Sequence, residues 1–564
     1  MPRETPVRIV GKLADRGYNA EREAVTLLAG APDPQTAIDR AVEVAPDDAV
    51  VISESHVREA LDSSSQSAST HRSATPTESG SRSETTAEAD PSVSTGNGTA
   101  KSHDDGGSVP VETKGSRSGS PVDRSAGSST GSGPDSSAAS RTEELTGSTA
   151  GSSVVGAGGE SGGRSAVAPE IRGDVQSTGT GEYEDFVAVF RDRYETLAAQ
   201  LRGRVNHRPT DAVAEMSGGS EAAIIGMVSD IRSTASGHWL VELEDTNGTF
   251  PCLVMKDREF ADEVRALLHD EVIAVEGNLA DDSGILFVDS LHFPDVPRTY
   301  SPSTADRHVE AALISDVHVG SEEFREDAWQ RFADWLHTEQ AESVEYLLVA
   351  GDMVEGVGVY PGQDEELDIV DIYDQYETFS EHLKDVPGDM EIVMIPGNHD
   401  AVRLAEPQPA FDEELPEIMS AHDASISGNP STVTVEGVSV LMYHGVSLDE
   451  LIAELPDERA SYEKPHRAMA QLLRKRHVAP QYGGMTRIAP EEKDHLVIDE
   501  VPDLFHTGHV HKLGYGTYHN VLTINSSCWQ DQTDFQKSVN LDPDVGYAPI
   551  VDLETLDLTV RQFV

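Results

Sequence analysis

The sequence predicts an α/β protein assembled from several modules, and three observations carry that prediction. From about residue 305 to the end, short apolar runs of strand type alternate with segments of helical periodicity. Ahead of them, residues 219–297 hold a compact set of strands grouped around a Thr-Asn-Gly hairpin signal. Further upstream, residues 62–180 collapse into Ser, Thr, Gly, Asp and Glu, as in SSSQSASTHRSATPTESGSRSE, a composition that cannot bury a core.

Residues 1–61 space Ala, Val, Ile and Leu at three and four, which predicts a small helical domain: a docking module or a plain helical cap. Residues 62–180 read as a disordered tether, and helical spacing resumes in a connector at 181–215 (YEDFVAVFRDRYETLAAQLRGR). In the next module, AAIIGMVSDIR, HWLVELED and TFPCLVM are strands, REFADEVRALLHD is a helix, and VIAVEGNLA and GILFVDSLHF are two more strands. Three strands, a helix and two strands is the order of an OB-fold, a common single-strand-binding module. The module has few aromatic or basic residues, so both nucleic-acid contact and protein packing stay open for it.

The chain has 564 residues, with 42 Lys+Arg against 100 Asp+Glu and a formal charge of -58. Only ten of the basic residues are Lys. A carboxylate-rich, lysine-poor surface spread over every segment suits a salt-rich cytosol, as in halophilic archaea. There the Debye length shrinks to about 3 Å, so the charge does not exclude nucleic acid. Two distant cysteines, Cys252 and Cys528, exclude a disulfide framework and a cysteine zinc site. No stretch approaches the ~20 apolar residues of a membrane span, and the expected location is the cytoplasm.

The chemistry gathers where the C-terminal strands end. AALIS is followed by Asp316 and His318, two apart; YLLVA by Gly351-Asp352; IVMIPG by Asn398, His399 and Asp400; VLMY by His444; and DLFHTG by His509 and His511. Open α/β sheets collect function outside the carboxyl ends of their strands. Any one of these endings is an ordinary turn. Five of them in the order D-x-H, G-D, G-N-H-D, H-G, G-H-x-H are not. Two competing motifs fail: GVGVYPG (356–362) lacks both G-x-G-x-x-G spacing and a Walker lysine, and Ser447 lacks the glycine of a nucleophile elbow.

That order resembles the signature of calcineurin-like metallophosphoesterases. The resemblance implies a four-layer αββα sandwich with two divalent ions, Mn first, with Fe, Zn or Mg as alternatives. Carried over by position, Asp316, His318 and His511 hold one ion, Asn398, His444 and His509 the other, and Asp352 bridges. It also implies that His399 is the catalytic imidazole, with Asp400 orienting it. Two ions about 3.5–4 Å apart bind phosphate and activate water. Arg403, just past this loop, is a candidate contact for substrate phosphate or an ion-paired surface residue.

The segments between the motifs (GDMVEGVGVYPGQDEELDIVDIYDQYE, PGNHDAVRLAEPQPAF, YHGVSLDELI and FHTGHVHKLGYGTYHNVLTINSSCWQDQTDFQK) are similar to those of the small-subunit family of archaeal family D DNA polymerases. This implies a 3′-to-5′ proofreading exonuclease acting on single-stranded or primer-terminus DNA. Its partners would be a large polymerase subunit and, through the holoenzyme, a sliding clamp. SSCWQ departs from the family pattern outside the ligand set. A non-catalytic scaffold of the same complex and a free-standing phosphodiesterase or repair nuclease are the alternatives.

Overall fold

The computed structural model describes parts of residues 12–58, residues 166–172, Gly181, and 183–564 apart from 361, 413 and 421–423. Most of the stretch assigned to the tether lies outside the described residues.

In the N-terminal module a two-residue strand β1 (Asn19–Ala20) pairs in parallel with β2 (Val51–Ile52), with helix α1 (Pro34–Val44) between them. Its small core is Ala24, Leu28, Ala37, Ile38, Ala41, Ile52 and Val57. Strand β3 (Glu170–Arg172) falls inside the segment assigned to the tether, yet it forms a sheet edge. Three backbone pairings there supply what a Ser/Gly-rich composition cannot signal.

Helix α2 (Tyr183–Leu201) buries Val189, Arg193, Leu197 and Leu201, one every fourth residue. Such a stripe faces a core, so Arg193 is an intruder that needs a partner. Its Nε lies 2.6 Å from Asp494 Oδ2, both side chains being buried. His477 Nε2 approaches the same carboxylate oxygen at 3.0 Å, while Ala479 N–H donates to His477 Nδ1. With Nδ1 already accepting, His477 is fixed as the neutral Nε2–H tautomer.

After the short α3 (Thr210–Ala214), strands β4 (Glu221–Ser233), β5 (Trp239–Asp245), β6 (Gly248–Val254), β7 (Val272–Leu279) and β8 (Leu286–His292) close a barrel in the order β4-β5-β6-β8-β7. The expected helix after the third strand is a six-residue 3-10 helix, Ala261–Ala266. The barrel is tied to the C-terminal domain by Lys475 Nζ, buried 2.7 Å from Glu271 Oε2 and bonded to Ala266 O.

The C-terminal domain contains two six-stranded mixed sheets. The first uses β9 (Glu310–Ile314), β10 (Val344–Ala350), β11 (Glu391–Ile395), β12 (Ser425–Ile426), β18 (Tyr547–Asp552) and β19 (Asp557–Gln562), in the order β12-β11-β10-β9-β18-β19. The second uses β3 with β13 (Ser431–Val435), β14 (Val438–Met442), β15 (Leu504–Thr507), β16 (Leu513–Tyr518) and β17 (Val521–Ser526), in the order β16-β17-β15-β14-β13-β3. Alternate residues of a strand face opposite ways. Ala311, Leu313, Leu348 and Val393 accordingly pack with Val433, Val440, Leu504 and Ile524 of the second sheet. Ala312, Ile314, Leu347 and Met394 pack instead on Trp329 and Phe332 of α4 (Glu326–Leu336) and Tyr376 and Phe379 of α5 (Ile372–Leu383). Helices α7 (Ser447–Glu454) and α8 (Pro465–Lys475) cover Leu441, Phe505 and Val521; the five-residue α6 (Glu414–Ile418) and α9 (Asp534–Ser538) complete the domain. With both faces covered, the strands read as continuous apolar runs.

Burial, with help from Arg193, lowers the His477 pKa to about 4. The sign follows: below pH 6.5 the unfolded chain takes up a proton that the folded chain refuses, so stability falls as pH falls from 6.5 toward 4. Between pH 6.5 and 5 this amounts to about 2 kcal/mol. Urea unfolding in molar KCl across that range should show the loss, and His477→Asn should flatten it; an unchanged slope in the variant would refute the assignment.

Candidate metal centre and active site

Strand ends from both sheets bring the donors together. β9, β10 and β11 deliver Asp316 and His318, Asp352, and Asn398 and His399; β14 and β15 deliver His444, and His509 and His511. Five of these residues have left-handed backbones: Asp316 (φ 53°), His318 (56°), Asp352 (51°), His509 (71°) and His511 (52°). Each such non-glycine residue costs on the order of 1–3 kcal/mol, and such strain clusters at functional sites. Glycine beside them permits the crowding: a Cβ on Gly397 would sit 2.2 Å from Asp352 Oδ1, and one on Gly508 2.3 Å from Asp316 Oδ2.

The donors fall into two sets. Asp316, His318 and His511 have donor atoms within 4.8 Å of one another, and so do Asp352, His444 and His509. His318 Nε2 is 3.0 Å from His511 Nε2, and His511 Nε2 is 3.5 Å from Asp316 Oδ1. His444 Nε2 lies 3.1 Å from Asp352 Oδ2 and 3.0 Å from Asn398 Oδ1, so Asn398 joins the second set. Asp352 Oδ2 is also 3.9 Å from His318 Nε2, which puts this carboxylate between the two sets.

The electrostatics fit cations. Asp316 and Asp352 are buried, and each raises the cost of ionising the other. Burial alone would push Asp352 up, yet the His444 and His399 imidazoles hold it well below the usual carboxylate range. Burial likewise works against a proton on His444, but Asp352 holds its pKa up to about 10. The His444 proton thus offsets part of the buried carboxylate charge, the place that divalent ions would take.

A second ring of contacts aims the imidazoles. Glu355 is buried with Oε2 2.8 Å from His318 Nδ1; burial opposes its ionisation, but His318 pulls its pKa down to about 2. His444 Nδ1 is 2.8 Å from Ala350 O, His509 Nε2 3.1 Å from Asp449 Oδ2, and His511 Nδ1 2.8 Å from Gln536 Nε2. Partners of this kind fix ring orientation at metal sites. Glu355 and Asp449 stand in the segments GDMVEG and HGVSLDE, but their spacing does not single them out; Gln536 is brought in only by the fold.

The structure corrects the expected role of Asp400 and shows Arg403 in the second of its two readings. Asp400 does not orient the His399 ring: its carboxylate accepts from Gly397 N (2.8 Å) and Tyr376 Oη (3.0 Å), bracing the turn from within. Burial and the Asp352 charge push its pKa up to about 6. The His399 ring is held instead by the Glu355 backbone carbonyl, 2.7 Å from Nδ1, so that Nδ1 is engaged and Nε2 is the nitrogen left for other contacts. Arg403 is ion-paired: its guanidinium meets buried Glu491 at 2.7 Å and the Ala405 and Pro407 carbonyls. Ser447 is no nucleophile either, as its buried hydroxyl donates to Val478 O.

Adding Mn2+ to apo protein at pH 7 should release protons, because the His444 proton held by Asp352 must leave. Calorimetry in two buffers of different ionisation heat should show about one proton released in all, and fewer in His444→Gln. Metal uptake without proton release in wild type would contradict this account.

Residues 311–513 match a family model for the B-type subunits of DNA polymerases alpha and epsilon. Over the full length of both chains, the protein is 62% identical to the DNA polymerase II small subunit of Halobacterium salinarum. The Archaeoglobus fulgidus small subunit is 43% identical over 68% of this chain and 78% of its own. That of Methanocaldococcus jannaschii is 38% identical over 67% and 65%. Sequence and site together agree with these likenesses: the chain belongs to the DNA polymerase II small-subunit family, the small subunits of family D polymerases.

Proposed function

We propose that this chain is the 3′-to-5′ proofreading exonuclease subunit of a heteromeric replicative DNA polymerase, hydrolysing the terminal phosphodiester of single-stranded DNA. One observation carries the reading: two donor sets, each within 4.8 Å, share a rim with an imidazole held through its Nδ1. Asp316, His318 and His511 would hold one divalent cation and Asn398, His444 and His509 a second, with Asp352 between them. Mixed imidazole, amide and carboxylate donors suit Mn, Fe or Zn. Bound there, the ions would supply charge neutralisation for the phosphate and activation of water.

The protein's own groups do the rest. Glu355 aims His318 with its carboxylate and His399 with its backbone carbonyl, so one residue sets the angle of a ligand and of the acid. With Nδ1 pinned, His399 hands a proton from Nε2 to the departing 3′ oxygen as water adds to phosphorus, releasing a nucleoside monophosphate. Asp400 and Tyr376 keep the Gly397–Ala401 turn rigid during this transfer. The three core clusters support a four-layer αββα arrangement, and the closed five-stranded barrel supports an OB-fold. Synthesis would belong to a large partner subunit. Among the described residues no helix is long and apolar enough to cross a membrane.

Single-stranded DNA labelled at the 3′ or 5′ end should lose mononucleotides from its 3′ end in molar potassium with manganese, alone or with the large subunit. His399→Ala should slow this roughly 10²–10⁴-fold. Asp352→Asn should abolish it, and Arg403→Lys should change it little. No release by wild type even with the large subunit would leave a scaffold and overturn the proposal.

A further inference from the structure

The loop GVGVYPGQ, silent as a phosphate-binding motif, runs beside His399. A Cβ on Gly356 would sit 2.2 Å from His399 O, so loop and catalytic turn are in backbone contact. Gln363 ties the loop down, donating to Glu355 O (2.9 Å) and accepting from Val359 N (2.9 Å). The loop presents Tyr360, whose ring lies 6.2 Å from His399. The Tyr360 hydroxyl is fixed between Glu355 Oε1 (3.2 Å) and Glu366 Oε2 (3.1 Å). Phe535 stacks on that ring at 6.1 Å and 29°. It is 58% exposed, one of two exposed phenylalanines among the described residues.

Phe535 does not owe its position to burial. It rides on α9, where Thr533 and Gln536 form a capping box, and Gln536 also orients His511. The same five residues therefore aim a metal-ligand candidate and hold an aromatic face toward solvent beside the acid.

We propose that Tyr360 and Phe535 form a stacking subsite for the nucleobase of the terminal nucleotide whose phosphate His399 addresses, an inference that rests on the nuclease reading above. A nucleotide's base lies one sugar ring from its phosphate, and this platform lies one ring contact from His399. Every base has a π-face, so stacking accepts any end without reading sequence, at a gain of 5- to 100-fold or so in affinity per base. The surrounding charge favours the same solution. In concentrated salt, phosphate contacts by Lys and Arg lose most of their strength, whereas stacking does not depend on charge.

The test uses the full chain in manganese. Its ligands are oligonucleotides whose last linkage carries carbon in place of the bridging oxygen, so that nothing is cleaved. One ends in a normal nucleotide and the other in an abasic sugar. Phe535→Ala should weaken binding of the normal end about 5- to 100-fold, seen by anisotropy, and leave binding of the abasic end unchanged. Phe535→Leu, which keeps apolar bulk without a π-face, should resemble Phe535→Ala. Phe535→Trp should retain binding and have its fluorescence quenched by the normal end alone. Wild type binding both ends equally, or neither, would overturn the subsite. So would Phe535→Leu binding like wild type, or Phe535→Ala losing only association with the large subunit. Since binding is read without hydrolysis, a failed cleavage assay would count against the nuclease reading and leave this result standing.

Discussion

Two carboxylates that cannot both be charged in isolation stand at the centre of this molecule. Asp316 and Asp352 are buried at neighbouring strand ends, and each ion makes the other costlier. The fold answers with imidazoles: His444 and His399 on Asp352, His511 and His444 on Asp316. The left-handed backbones at Asp316, His318, Asp352, His509 and His511 follow from this need. A strand leaving its sheet in ordinary extended geometry would carry these side chains apart. Each must instead turn back over the rim, and the packed sheets beneath sustain that strain.

Around the donors, the contacts divide the labour. Backbone carbonyls fix two of the rings, as Ala350 does for His444 and Glu355 does for His399. Side chains fix three others, as Glu355, Asp449 and Gln536 do for His318, His509 and His511. Glu355 appears in both groups. Its carboxylate faces His318, its carbonyl holds His399, and it anchors Gln363 and Tyr360. The loop beyond Asp352 is thereby coupled to ligand orientation and to the candidate acid at once.

The acidic surface and the buried ion pairs obey different rules. In concentrated salt the many exposed carboxylates are screened from one another. Arg193–Asp494 and Lys475–Glu271 are shielded from that salt by burial. They sit where α2 and the barrel meet the C-terminal domain, and removing one partner would strand a charge in the core. Two of the scarce basic residues are thus placed at internal joints.

The sequence by itself determined the strands and the chemistry at their ends. Apolar runs covered on both faces have a local signature, and Asp, Asn and His placed directly after them announce a rim. For that reason the barrel strands, the apolar runs of the C-terminal sheets and the polar side chains gathered at their ends were legible. Only the tertiary structure decided which residues serve those donors. Asp400 adjoins His399 in the chain, but its carboxylate turns inward to brace Gly397, because a residue and its successor project in different directions. Glu355, 44 residues away in the chain, takes the orienting role through a backbone carbonyl that no side-chain motif records. Strand β3 shows the same limit, since three residues of a low-complexity stretch become a strand only because the edge of β13 offers them hydrogen bonds. Local pattern reports what a segment can be; long-range contact selects which neighbour it meets.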